Sequence, residues 1–246
     1  MLILKSLMEN KTQLKVFSPN ETKTSKYYQI IANSNTKGSV AYLLDWTYIF
    51  EKIDTYISKN KMSQCVILDV GCGNSMFHLF LEEYYGQGII GIDRIDSTLF
   101  KNELIKMGHT VTNSTDLCFD FIVEGNQFFK NNVDIIFWNS SIEHNSINDM
   151  RKAINSSIKA LKKGGIFIAT WAFGEKTHWN ESAVATILSE NDARNLFNGV
   201  WETKPDLPQI IDEWKSNILG LDDWHKKRFG HDKYEYVHAG CSMEKI

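Results

Sequence analysis

A glycine-rich turn and a distant aspartate are the residues whose types and spacing best suit a binding site in this sequence. Residues 69–74 (DVGCGN) contain Gly71 and Gly73, and glycine lets a chain bend tightly and lie against a ligand that a Cβ atom would push away. Asp93 follows Gly73 by 20 positions, the separation at which a carboxylate accepts hydrogen bonds from ribose hydroxyls in nucleotide-binding folds. The pair predicts a pocket for an adenosine-type ligand.

The residue three positions after Gly73 narrows the class of nucleotide. Dinucleotide-binding turns have a third glycine there, which brings the N-terminus of the next helix close to a pyrophosphate. This sequence has Met76 instead. We therefore expect a ligand without a pyrophosphate, and a nucleotide-dependent oxidoreductase is disfavoured.

Alternating strands and helices must position these residues. Short apolar runs predict buried strands at residues 65–71, 88–93, 133–139 and 166–173, with a more polar strand at 109–116 and a last one within 233–246. Helical periodicity predicts helices from residue 40 and over 76–86, 97–108, 147–162, 190–197 and 207–219. Ser146 and Asp149 resemble a capping box at the start of one helix, and Gly164 is expected to cap its end. This alternation predicts an α/β fold with a mostly parallel sheet covered on both faces.

Length and composition limit the domain organisation. A chain of 246 residues with 43% hydrophobic residues can form one large packed domain. Residues 1–38 are polar and irregular, and we expect an N-terminal arm or lid there. Residues 39–246 are expected to form the domain, with an insertion on the substrate side at about 174–230.

Charge and hydropathy limit the partners. The net charge of -3 leaves no overall field that would attract nucleic acid. No stretch approaches the roughly 18 apolar residues that a membrane span needs. The four cysteines include no CxxC pair, which fits a reducing compartment. We expect a cytoplasmic protein that binds neither nucleic acid nor membranes, and its oligomeric state stays open.

Four segments together resemble the motifs of class I S-adenosylmethionine-dependent methyltransferases. VILDVGCGNS resembles the first motif, GIIGID the second, VDIIFWNSSIEH the segment after the fourth strand, and LKKGGIFIATW the region of the fifth strand. They lie between residues 66 and 171 in the order of that family. The resemblance implies a Rossmann-like sandwich with a mostly parallel seven-stranded sheet, and S-adenosylmethionine as cofactor, released as S-adenosylhomocysteine.

The resemblance also implies how the first two motifs hold that cofactor. Asp69, Gly71 and Gly73 would shape the turn against its methionine part, with Asp69 oriented toward the ammonium group. Asp93 would bind the ribose hydroxyls, and Arg94 would lie on the adenine.

The later motifs imply further contacts. Asp116 would accept a hydrogen bond from the adenine amino group and Leu117 would pack on the ring, although an Asp at this place is also an ordinary helix N-cap. Asn139 and Ser140 would face the methionine end and the methyl acceptor.

Two histidines are candidates for the catalytic residue. If the acceptor is a hydroxyl, a base must take its proton, and His144 and His178 follow the fourth and fifth predicted strands. His144 also fits a role in bracing a loop. Some relatives bind a metal through an extra Glu three residues before the Glu-His pair, but this sequence has Ser140 there, so no metal is expected.

The predicted function is methyl transfer to a small polar or anionic acceptor, by O-methylation rather than N- or C-methylation. A surface carbohydrate or a phosphate-type group on one is the acceptor class that follows from the aromatic and basic C-terminal region. A local cluster of basic residues there consists of Lys226, Lys227, Arg228 and His231. They equally fit a solvated helix face. The alternative function is a non-catalytic, methyltransferase-like binding protein.

Overall fold

A computed structural model describes residues 12–34, 40–73, 76–94, 115–118, 120–217 and 236–246. The strands are β1 (Thr12–Val16), β2 (Ile67–Val70), β3 (Ile90–Asp93), β4 (Thr115–Cys118), β5 (Val133–Trp138), β6 (Leu161–Gly174), β7 (His178–Asn180), β8 (Ala185–Ile187), β9 (Gly199–Trp201) and β10 (Tyr236–Glu244). The helices are α1 (Pro19–Lys23), α2 (Lys26–Ala32), α3 (Val40–Asn60), α4 (Phe77–Tyr85), α5 (Phe121–Phe128), α6 (Ile147–Ala160), α7 (Glu190–Phe197) and α8 (Leu207–Asn217), with a 3₁₀ helix at Ile142–His144. The predicted helix at 97–108 lies outside the described residues.

The main sheet is mostly parallel. Its strand order is β4–β3–β2–β5–β6–β10–β1–β9. Only β10, among these strands, runs against its neighbours, since it pairs antiparallel with both β6 and β1. β7 and β8 form a separate antiparallel hairpin. The structure confirms the predicted α/β architecture, in which the central strands are parallel.

Helices cover both faces of the central strands. All six residues of β5 and all four of β2 are buried. Because successive side chains of a strand point to opposite faces, a strand buried throughout is covered on both sides. These runs of Val, Ile, Leu and Phe explain why the sequence predicts them as strands.

The sheet has eight strands, so the expected count of seven is wrong by one. The difference lies at the far edge, where β1 pairs with β10 on one side and β9 on the other. Residues 12–34 therefore differ from the expected irregular arm: they contribute this strand and helices α1 and α2. The short polar sequence TQLKV becomes a strand through pairing with residues near 200 and 240, which local sequence does not reveal.

Helix α6 confirms one predicted end and corrects the other. The Ser146 hydroxyl accepts from the Asp149 N–H at 3.2 Å and donates to the Asp149 carboxylate at 2.8 Å, which is the predicted N-terminal cap. The helix ends at Ala160, because Leu161 is already extended and pairs with Val133. Gly164 is therefore not the cap and lies inside β6 with a φ of 79°. Within the described part of the chain, no helix is long and apolar enough to cross a membrane.

Candidate active site

The order of the strands creates a crevice between β2 and β5. The chain leaves β2 toward β3 and β4 on one side and returns to β5 on the other side of β2. In open parallel sheets the connections diverge at such a point, and ligands bind outside the carboxyl ends of the two strands. The residues just after Val70 and Trp138 therefore lie at the expected ligand site.

Gly71 allows the turns after β2 and β5 to approach closely. Its backbone has a φ of 71°, and a Cβ atom added to it would lie 2.6 Å from the Cβ of Ser141. The Ser141 hydroxyl donates to the Val70 carbonyl at 2.8 Å, which ties the two turns together. A side chain at position 71 would force them apart.

Gly73 and Asp93 meet as their spacing predicts. The Gly73 N–H donates to Oδ2 of Asp93 at 2.8 Å. Gly73 has a φ of 47°, and a Cβ atom added there would be 3.9 Å from the same oxygen. The carboxylate therefore fixes the glycine turn, and both residues border the same space.

A cavity of about 350 Å³ opens at this switch point, within the range of small-molecule sites. Six of the predicted site residues line it: Gly71, Gly73, Asp93, Arg94, Ser140 and His144. The remaining wall comes from Val70, Ile92, Asp120, Phe121, Ile122, Trp138, Ser141 and Asn145. The structure thus brings together predicted site residues that are far apart in sequence, since Gly71 and His144 are separated by 73 positions.

The hydrogen bond of His144 determines which ring nitrogen can accept a proton. Nδ1 of His144 lies 2.7 Å from the carbonyl oxygen of Val184. A carbonyl oxygen only accepts, so Nδ1 carries the hydrogen and Nε2 of the neutral ring is the nitrogen with a free lone pair. Val184, whose φ is 52°, belongs to the loop between β7 and β8. A second hydrogen bond connects this hairpin to the segment that carries His144: the Thr186 hydroxyl donates to the Asn145 carbonyl at 3.0 Å.

Several buried acidic and basic side chains lie outside the described lining of the cavity. Burial raises the pKa of Glu143 to about 7, and the neighbouring His144 opposes that shift. Burial alone would lower the pKa of His238, but the charge of Asp45 and its hydrogen bond outweigh burial and raise it. Asp69 is fully buried, and its Oδ2 lies 3.5 Å from Nδ1 of His78. Sequence reasoning missed Asp45, His78 and His238, whose positions carry no local motif.

Four predicted site residues, Asp69, Leu117, Asn139 and His178, do not line the cavity, and the side chain of a fifth, Asp116, lies outside the described part of the structure. Asp69 is buried within β2, and Asn139 is half-buried, with an Oδ1 atom that has no hydrogen-bond partner among the described residues. His178 is exposed at the start of β7, where Nδ1 lies 3.1 Å from the Lys176 carbonyl. Asp116 and Leu117 lie inside β4, opposite Gly91 and Ile92. The roles assigned to these five stay predictions.

Asp120 is the acid that the structure places at the cavity after β4. The expected strand at 109–116 would end at Asp116, but the described strand runs to Cys118, and residues 109–114 lie outside the described part. Oδ1 of Asp120 accepts from the Ile122 N–H at 2.9 Å, so this residue caps α5 while it borders the cavity. In the sequence, the signal for this residue is an Asp directly before the helical stretch that begins at Phe121, which is the usual place of an N-cap.

The arrangement can hold a nucleoside-containing molecule and remove a proton from a second molecule. The glycine turn, the carboxylate of Asp93 and His144, whose Nε2 can accept a proton, line the same cavity. Among the described residues, no group of three or more His, Cys, Asp or Glu side chains is arranged to hold a metal ion.

Comparison with known proteins identifies the family. The family model described as a methyltransferase domain matches residues 61–220. A phosphoethanolamine N-methyltransferase of Plasmodium falciparum is 27% identical over 181 residues, covering 72% of this chain and 64% of that protein. Phosphoethanolamine N-methyltransferase 1 of Triticum aestivum is 34% identical over 108 residues, covering 44% of this chain and 21% of that protein. The chain therefore matches under two thirds of the length of either relative.

Solved structures share the fold at low identity. The geranyl diphosphate C-methyltransferase of Streptomyces coelicolor A3(2), solved with Mg²⁺, geranyl diphosphate and S-adenosylhomocysteine, has a TM-score of 0.55 and 12% identity, covering 99% of this chain and 92% of that one. The [4+2]-cyclase SpnF has a TM-score of 0.58 and 14% identity, covering 94% and 98%. These likenesses confirm the Rossmann-like fold. From its matched domain and its motifs, the chain belongs to the family of class I methyltransferase domains.

Proposed function

We propose that this protein is an S-adenosylmethionine-dependent methyltransferase that acts on a small polar acceptor. The single observation that carries the proposal is the cavity at the β2–β5 switch point. It is lined by the Gly71–Gly73 turn, by Asp93 and by His144, whose Nε2 is the ring nitrogen able to accept a proton. Membership of the methyltransferase-domain family supports the proposal. So do the ligands named for the related fold from Streptomyces coelicolor.

The residues of the cavity fit the cofactor. Asp93 borders the cavity with a carboxylate that suits the two hydroxyls of a ribose, and Asp120 is an acceptor suited to an adenine amino group. Phe121 and Ile122 provide apolar surface beside Asp120. Gly71 and Ser140 line the same cavity, where they are available to the methionine part of the cofactor. We propose that Asp120, rather than Asp116, accepts the hydrogen bond of the adenine amino group.

The protein's own contribution to the reaction is positioning and proton removal. The bound cofactor would supply the methyl carbon as electrophile and its positively charged sulfur as the leaving group, which departs as the neutral thioether of S-adenosylhomocysteine. The cavity wall has to hold the acceptor atom about 3 Å from that methyl carbon and in line with it. Nε2 of His144 then takes the proton from the acceptor, while the Val184 carbonyl holds Nδ1–H and stabilises the imidazolium that forms.

The presence of a base at the cavity indicates which chemical groups can be the methyl acceptor. A base is useful when the acceptor atom carries a proton, as a hydroxyl or an ammonium does. The two relatives are named as N-methyltransferases of a phosphorylated amine, which supports a small phosphorylated acceptor and adds N-methylation to the O-methylation expected from the sequence. The basic residues at 226–231, which are candidates for a phosphate contact, lie outside the described residues. Among the described residues that line the cavity, Arg94 is the one Lys or Arg, so it is a second candidate for a phosphate contact.

Methyl transfer to defined acceptors tests the proposal. Purified protein with methyl-labelled S-adenosylmethionine would be offered phosphoethanolamine, ethanolamine, a hexose phosphate and the free hexose, and transfer of label would be measured. We expect label on a phosphorylated compound in preference to its unphosphorylated partner. Cofactor binding without transfer to any small molecule, including those of a fractionated cell extract, would favour the non-catalytic alternative.

Two histidine variants separate the candidate bases. His144→Gln is expected to lower turnover by about 10²- to 10⁴-fold, the usual contribution of a general base, and to leave cofactor binding intact. His178→Gln is the matched control, because His178 is exposed and does not line the cavity. A loss confined to His178→Gln would contradict the assignment, and equal rates for wild type and both variants would remove either histidine from the reaction.

A further inference from the structure

Ser140 occupies a strained backbone conformation on the cavity wall. It lies two residues after the end of β5 and has a φ of 45°, a left-handed conformation that residues with a side chain rarely adopt. Two hydrogen bonds hold it there: its N–H donates to the Thr170 hydroxyl at 2.9 Å, and its own hydroxyl donates to Oδ2 of Asp45 at 2.5 Å. Strain kept in place by partners from two other elements is typical of functional positions.

Asp45 and His238 determine the direction of the Ser140 hydroxyl. Asp45, on α3, is fully buried, and its Oδ2 also accepts from Nδ1 of His238, on β10, at 2.7 Å. The ring of His238 is fixed in turn by Trp214, at 5.1 Å between ring centroids. A carboxylate only accepts, so the serine hydrogen points to Asp45 and the lone pairs of its oxygen remain for the cavity. Ser140 therefore offers the cavity an acceptor and no donor.

We propose that Asp45 and His238 are positioning residues that hold the Ser140 hydroxyl as an acceptor for the ammonium group of the cofactor's methionine part. The inference rests on the proposed function. It goes beyond it because neither Asp45 nor His238 belongs to a cofactor motif and neither lines the cavity. A buried carboxylate one hydrogen bond behind the serine increases the negative potential at its oxygen, and a cation is the ligand group that gains most from this.

Binding of two related nucleosides tests the proposal without any catalytic readout. S-Adenosylhomocysteine carries the ammonium group, and 5′-methylthioadenosine lacks the whole amino-acid part. Ser140→Gly removes the hydroxyl and relieves the positive φ, so the variant is expected to fold with unchanged or higher stability. It should bind S-adenosylhomocysteine about 10-fold more weakly in calorimetric titration, as when a hydrogen bond to a charged group is lost, and methylthioadenosine as well as wild type does.

Variants of the two buried residues complete the test. Asp45→Asn and His238→Leu should show the same selective loss, and His238→Asn, which keeps an N–H for Asp45, should recover most of the affinity that His238→Leu loses. Asp134→Asn is the control, because Asp134 is a buried carboxylate at the other end of β5, 2.8 Å from Nζ of Lys162. It should lose stability and keep both affinities.

The outcomes separate this inference from the proposed function. Equal weakening of both nucleosides in Ser140→Gly, or unchanged binding of S-adenosylhomocysteine, would overturn the assignment to the ammonium group. Failure of wild type to bind either nucleoside would instead refute the proposed function itself.

Discussion

Gly71→Ala tests whether close approach of the turns after β2 and β5 shapes the cavity. The alanine would meet two separate costs. A φ of 71° is left-handed, which costs an L-residue about 1 to 2 kcal/mol. Its Cβ would lie 2.6 Å from that of Ser141, and overpacking of this kind costs about 1 to 3 kcal/mol more. The free energy of unfolding should therefore fall by about 2 to 5 kcal/mol.

Gly86→Ala is the matched control, because Gly86 has a φ of 64° and an added Cβ would meet nothing within 4 Å. It should lose only the left-handed part, about 1 to 2 kcal/mol. Urea unfolding of both variants gives the difference directly. In a Ser141→Gly background the cost of Gly71→Ala should approach that of Gly86→Ala, a coupling that a double-mutant cycle measures. Equal costs for the two single variants would refute the close-approach argument.

Two further predictions concern the acids of the site. Asp93→Ala should weaken S-adenosylhomocysteine binding by about 1 to 3 kcal/mol in calorimetric titration, since partners are lost at the Gly73 turn and at the ribose; unchanged affinity would place the ribose elsewhere. Glu143, with a pKa near 7 when folded and about 4.3 when unfolded, binds its proton more tightly in the folded state. The stability that protonated Glu143 contributes is therefore lost as the pH rises from about 4.3 to about 7. The free energy of unfolding should therefore change less between about pH 5 and about pH 8 in Glu143→Gln than in wild type. Identical pH profiles for the two proteins would contradict the argument from burial.

The sequence could predict those parts of the site that depend on local chain geometry. The glycine turn after a buried strand and the acid at the end of the next strand are close in sequence to the elements that place them. Their meeting, with the Gly73 N–H on the Asp93 carboxylate, follows from two adjacent parallel strands. The cap of α6 at Ser146 is equally local, since both partners lie within one turn.

The parts that depend on distant pairing could not be predicted. Asp45, Ser140 and His238 come from α3, the end of β5 and β10, and they meet only when the sheet has assembled. β1 has a sequence too short and polar to predict a strand by itself, and its partners are near residues 200 and 240. The polar stretch before β4 gives a weak strand signal that leaves the end of the strand uncertain by about two residues, and the resemblance implies Asp116 as the acid where the structure places Asp120 at the cavity.

Calorimetric titration of the wild-type protein with S-adenosylhomocysteine, and separately with NAD, tests the central claim most directly. The account predicts saturable binding of S-adenosylhomocysteine with one site per chain and no binding of NAD, because the turn at 71–76 has no third glycine to receive a pyrophosphate. Binding of NAD in preference to S-adenosylhomocysteine, or binding of neither, would contradict it.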